Sequence, residues 1–128
     1  MDSPLGAYQA AQTLTADPPR IMLLLFDGAA RFLRQALKAL ERGDHPGFAQ
    51  SISRAHAIVG ELADSLNRAE GGEIADNLAR LYAFMLVHLT QGLIERSPAH
   101  VQRVLGLLST LREGFEQAVE SLSRGPAA

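Results

Sequence analysis

PGFAQSISRAHAIVGELADSLNRA, residues 46–69, is the stretch whose reading decides the fold. Its apolar side chains Phe48, Ile52, Ala55, Val59, Leu62 and Leu66 recur at alternating spacings of four and three. That is the period of a helix with one buried stripe, and the alternation gives the narrow seam of bundle packing. Strand-like alternation is absent along the chain, where Ala, Leu, Glu, Gln and Arg dominate.

The punctuation on either side of this stretch sets the element order. Gly43-Asp44-His45-Pro46 stops one helix and restarts the next. Upstream, Asp17-Pro18-Pro19 reads as an N-cap followed by proline at the first helical position, where a missing N–H costs nothing. Downstream, Gly71-Gly72 is a break, and Ser97-Pro98 repeats the cap-then-proline signal. These breaks predict helices over about 18–42, 46–69, 73–96 and 98–123. Connections this short force neighbours to run antiparallel, so the expected fold is all-α, an up-down four-helix bundle. One domain is expected over 1–128: a cap segment at 1–16 with a short helix around Leu5 to Gln12, a bundle at 17–124 and a frayed tail at 125–128. The last helix carries a second seam of Val101, Val104, Leu105, Leu108, Leu111, Phe115, Ala118 and Leu122. Gly60, Gly92, Gly106 and Gly114 fall inside helices, where each costs up to about 1 kcal/mol against alanine unless a neighbour uses the missing side chain.

Two helices break the pattern. In the first, Asp27, Arg31, Arg34 and Lys38 form a polar stripe, with Met22, Leu25, Ala29, Phe32, Ala36 and Leu40 opposite as the expected core. Leu23 and Leu24 nevertheless lie on or beside the polar stripe. In the third, Glu73, Asp76, Arg80 and Gln91 mark the polar face and Leu78, Tyr82, Met85 and Leu89 the buried one, yet Phe84, Val87 and Ile94 fall on the polar side. A helix that is apolar nearly all round is either covered on two sides or presents a binding surface. The cover is the N-terminal segment or a partner's amphipathic segment. One buried leucine contributes roughly 1.5–3 kcal/mol, and micromolar binding needs about 8 kcal/mol. A partner would therefore need several anchors along a groove.

Composition narrows the function classes. There are 12 Lys and Arg against 14 Asp and Glu, a net charge of −2, so the concentrated basic face that nucleic acid requires is not expected. Cysteine is absent, which excludes disulfides, thiol catalysis and cysteine metal sites. Met1 to Gln12 lacks the charged and apolar regions of a secretory signal, and the apolar run Ile21 to Phe26 is far short of the roughly 20 residues that span a bilayer, so membrane insertion is not expected. His45, His56, His88 and His100 form no Glu-x-x-His pair and no i, i+4 pair, and are read as structural or solvated histidines rather than metal ligands. No cofactor is expected: there is no Gly-rich phosphate loop, and no Gly-x-Ser-x-Gly. Asp27, Asp64, Asp76 and Glu113 are scattered along polar faces as solvating charges, not an acid/base pair. His56-Ala57-Ile58-Val59-Gly60 invites comparison with the His-x-x-Lys-Gly of histidine phosphotransfer domains, also four-helix bundles. Val59 holds the lysine position, and His56 borders the apolar seam where a phosphoacceptor must be exposed. Phosphotransfer at His56 is one alternative. A self-associating bundle, with the misplaced apolar residues forming a homodimer interface, is another.

A set of local motifs taken together points further. Tyr8, then Thr15-Ala16-Asp17-Pro18, then Ile21-Met22-Leu23-Leu24-Leu25-Phe26-Asp27-Gly28-Ala29 with Phe32-Leu33 resembles the start of the flagellin chaperones of the FliS family. That family tends to read Tyr, a spacer, Thr-Ala-Ser-Pro, then an apolar run ending Leu-Tyr-Asp-Gly. Gly71-Gly72-Glu73-Ile74-Ala75-Asp76-Asn77-Leu78, followed by Leu81-Tyr82 and Met85, is similar to a Gly-Gly-Glu-Ile-Ala-x-Asn-Leu segment of the same family. The likeness runs from about Tyr8 to about Leu122. Asp17 stands for the usual Ser, Phe26 for Tyr, Phe115 for an aromatic that is commonly Trp, and Thr90-Gln91 for an Ala-Asn pair.

The resemblance implies an export chaperone without enzymatic activity in the bacterial cytosol. Its partner would be the C-terminal helical segment of flagellin, kept from premature polymerisation and delivered to the flagellar type III export gate. The implied fold is an antiparallel four-helix bundle with a short N-terminal helical cap, around which flagellin wraps. The expected anchors are Tyr8 and Leu14 from the cap, Ile21, Leu23 and Leu24 from the first long helix, and Ile74, Leu81, Phe84 and Val87 from the third. Asp27, Asn77 and Arg80 are the expected polar rim.

Overall fold

The computed structural model describes residues 18–123. Four helices follow in order: α1 (Pro19–Glu41), α2 (His45–Asp64), α3 (Arg68–Glu95) and α4 (Pro98–Ser123). Tyr8, Leu14, Asp17 and the proposed cap segment lie outside the described residues, as do the tail from Arg124 and the side chains of Ala118 and Leu122.

Local chemistry explains each boundary. Pro18 takes the N-cap position of α1 and Pro19 the first helical one, a shift of one residue from the expected register. The Pro18 carbonyl accepts from the Ile21 and Met22 N–H groups. At the next turn Gly43 adopts φ 74°, the left-handed geometry that glycine reaches without a Cβ penalty. The Asp44 carboxylate then caps α2 by accepting from the Gly47 N–H at 3.0 Å.

The break expected at Gly71-Gly72 is displaced and split. The second helix ends at Asp64, five residues before the expected 69. Asn67 caps a first turn of α3 by accepting from the Glu70 N–H, and only then does Gly72, at φ 59° and ψ −138°, redirect the chain. Arg68 bonds Asp76 across this kink at 3.0–3.1 Å, a reach that eight residues of straight helix would not allow. The cap chemistry of Asn67 outcompetes the glycine pair as the place where the chain re-enters a helix.

α1 packs on α2 and α4, and α3 packs on the same two, so α1 and α3 stand across the diagonal of a square. Phe26 of α1 meets Phe115 of α4, with ring centroids 5.4 Å apart. Together with short connections, such contacts fix the antiparallel, up-down order. The core is Met22, Phe26, Ala29, Leu33 and Ala36 from α1, Phe48, Ile52, Ala55, Val59 and Leu62 from α2, Tyr82, Met85 and Leu89 from α3, and Val101, Val104, Leu108 and Phe115 from α4. Among the described side chains the seams read for α2, α3 and α4 hold, with Leu66, Leu78, Leu105 and Leu111 half-buried at their edges.

The core face of α1 is rotated from the expected one. Leu25, Phe32 and Leu40 are half-buried, while Phe26, Leu33 and Ala39 are inside. The buried arc of α1 turns toward the centre of the bundle, between α2 and α4. Phe32 is left on the flank, where the guanidinium groups of Arg31 and Arg54 lie 5.9 and 5.6 Å from its ring centre.

Candidate protein-binding groove

The outward face of α3 carries the apolar residues that the sequence placed on the wrong side. Phe84 is 40% exposed, Val87 56% and Ile94 75%, against 0% for the inward-facing Tyr82, Met85 and Leu89 of the same helix. Exposure at that level repeated along one helix needs a reason, since water contact with large apolar side chains is unfavourable.

Between α3 and α4 this face opens into a groove of about 570 Å³ lined by Asn77, Arg80, Leu81, Phe84, Arg103 and Leu107. Leu81 and Leu107 are half-buried and line it with Phe84. Arg80 donates to the Asn77 carboxamide oxygen, so the two polar residues of the rim hold each other at one edge. Arg103 supplies a cation on the α4 side. The combination suits an amphipathic segment: apolar anchors inside, and amide and guanidinium donors for carboxylates or free carbonyls at the rim.

The candidate residues are thus divided by the structure. Asn77, Arg80, Leu81 and Phe84 come together in the groove. Val87 lies on the other flank of α3, in a smaller depression with His56, Leu86, Thr90 and Gln91 toward α2. Ile74 is 56% exposed near the start of α3. Ile21 and Leu24, 45% and 70% exposed, sit on α1, and Leu23 is half-buried against the core. Because α1 and α3 are diagonal, these residues cannot share one straight groove with Phe84. Asp27 spans α1 and α4, accepting from Arg112 at 2.6 Å, and Arg112 also pairs with Glu116. The Asp27 hydrogen bond raises the pKa of Arg112 above its ordinary value.

Sequence reasoning missed Arg103 and Leu107. Leu107 did carry a signal, as an apolar residue off the seam laid over the last helix. Also missed was the meeting of His88 and His100, which no local spacing could announce. His56 is half-buried in a depression with Ile52, Ser53, Leu89, Thr90 and Leu93. The Tyr82 hydroxyl is buried with no hydrogen-bond partner among the described residues, and burial pushes its pKa up. No described helix is long and apolar enough to cross a membrane.

A helical bundle whose outer face presents an apolar groove with a polar rim has the geometry of a protein-binding module. Comparison with known proteins says which. The family model for flagellar protein FliS matches residues 1–122, and the chain belongs to that family. It is 35% identical to the flagellar secretion chaperone FliS of Salmonella typhimurium over 81% of this chain and 78% of that one. Likeness to the flagellar secretion chaperone FliSB of Pseudomonas aeruginosa is 34%, covering 83% and 84% of the two chains. The FliS chaperone of Bacillus subtilis is 29% identical over 94% and 90%. The chain is a flagellar export chaperone and not an enzyme, which sets aside the phosphotransfer reading of His56.

Proposed function

We propose that the groove between α3 and α4 is where this chaperone seats its client, the C-terminal helical segment of flagellin. The observation that carries the reading is the row of exposed apolar side chains on α3, with Leu81 and Phe84 opening onto Leu107 across a rim of Asn77, Arg80 and Arg103. The flagellin segment is held there, away from assembly, and the complex is handed to the flagellar export gate from the cytosol. Ile21, Leu24 and Ile74 form further apolar stations. A client that reaches both α1 and α3 passes around the outside of the bundle, because the two helices are diagonal. Tyr8 and Leu14 of segment 1–16 are further candidate anchors for the client.

Co-purification with full-length flagellin and with flagellin lacking its C-terminal helix tests the client. Recovery of the first and loss of the second is expected, and equal recovery of both sinks the proposal. A second reading, a homodimer formed through the same residues, draws on the 75% exposure of Ile94 beside Val87. Sedimentation at low micromolar concentration separates the two: a dimer that persists when flagellin is added favours self-association.

A further inference from the structure

His88 on α3 and His100 on α4 face each other at the groove's side of the bundle. Their Nδ1 atoms are 2.8 Å apart and their ring centres 4.9 Å. Gly92 lies at this approach, where a Cβ would stand 3.2 Å from His100 Cβ. Two nitrogens at that distance hold one proton between them. With both rings neutral, one Nδ1–H donates and the other Nδ1 accepts. With one ring protonated, the bond persists and gains charge assistance. With both protonated, each Nδ1 carries a hydrogen, no acceptor remains, and two cations repel.

The surroundings tie this pair to the groove. The Phe84 ring lies against His88, with centres 4.1 Å apart, and Phe84 and Arg103 both line the groove. Burial first, then the charges of His100 and Arg103, hold the His88 pKa below its ordinary 6.5. Glu95 at the end of α3 stands 3.8 Å from His100 Nε2. α2 also packs on α3, but its histidine, His56, lies on the opposite flank beside Leu86 and Val87.

We infer that the His88–His100 pair is a proton-operated latch on the α3–α4 groove: closed, it seats Phe84 for an apolar client, and a second proton opens it and weakens client binding. The inference rests on the assignment of that groove to flagellin. Its sign follows from the lowered pKa. A folded state that resists protonation at His88 loses stability as pH falls below 6.5, where the unfolded chain binds the proton more readily. A client that displaces water from Phe84 makes a cation beside it costlier still, so client affinity moves the same way.

The test titrates flagellin from the same organism into the full-length chain at pH 7.5 and pH 5.5, as wild type, His88→Asn and His100→Asn. Asparagine places an amide near the Nδ1 position and does not titrate. Ring-nitrogen NMR of the free protein runs in parallel. Wild-type affinity is expected to fall roughly three- to tenfold at the lower pH and that of both variants to stay level, in keeping with uptake of the second proton by the pair. The spectra should show a proton shared between the two Nδ1 atoms that is lost when the second ring charges. An identical pH profile in wild type and both variants overturns the latch, as do two histidines that titrate independently. If wild type and Leu81→Asp with Leu107→Asp bind flagellin equally at pH 7.5, the groove assignment fails instead, and the ring-nitrogen spectra judge the latch alone.

Discussion

The inward and outward faces of α3 are built from the same kinds of residue and are used differently. Tyr82, Met85 and Leu89 are 0% exposed, while Phe84 and Val87, one or two positions away, and Ile94 further along are 40–75% exposed. Both sets obey helical geometry. What separates them is the neighbours: α3 has α2 on one side, α4 on the other and nothing among the described residues across its outer arc. A large apolar side chain contributes to folding only where another element covers it. The outer set is therefore available for an energy of association that the folded chain does not itself collect.

Substitutions should separate the two faces by the size and the kind of their effects. Leu89→Ala leaves a cavity in the core and should cost about 2–5 kcal/mol of stability, measured by urea unfolding followed by circular dichroism. Phe84→Ala should leave the unfolding midpoint nearly unchanged and lower flagellin affinity by about tenfold or more, as expected for losing one anchor. A Phe84→Ala variant that unfolds as readily as Leu89→Ala would erase the distinction between the faces.

Glycines sharpen the same contrast on a smaller scale. Cβ atoms added at Gly60 and Gly114 would meet nothing within 4 Å, so Gly60→Ala and Gly114→Ala should each stabilise by roughly 0.5–1 kcal/mol. Gly92→Ala should destabilise instead, because it presses on His100 where α4 approaches α3. Thermal melts of the three variants give opposite signs if the close approach is real. Asp27→Asn, which breaks an exposed pair with Arg112, should shift the melting midpoint least, by roughly 3 °C or less.

How much of this was legible in the sequence follows from the range of each interaction. The seams of α2 and α4 were readable because bundle burial imposes a fixed local period. The stop and restart at Gly43-Asp44-His45-Pro46 were readable because their chemistry is local. Rotation of the α1 core toward Phe26 and Leu33 was not, since it is set by how α1 docks on α2 and α4. The re-entry at Asn67 was missed because a glycine pair is the louder signal, although the capping side chain decides the start. Among the candidate anchors, exposed apolar residues on α3 announced a surface, while its opposite wall, Arg103 and Leu107, came from a helix read only for its seam. The His88–His100 contact is a purely tertiary product of the α3–α4 packing and left no trace in the spacing of histidines.

The central claim is that flagellin occupies the groove between α3 and α4. Leu81→Asp combined with Leu107→Asp places a carboxylate on each wall at half-buried positions. Calorimetric titration of flagellin into this variant, with its helical circular dichroism checked against wild type, should show an intact bundle and at least a tenfold loss of affinity. An intact bundle that binds flagellin as tightly as wild type would contradict the account.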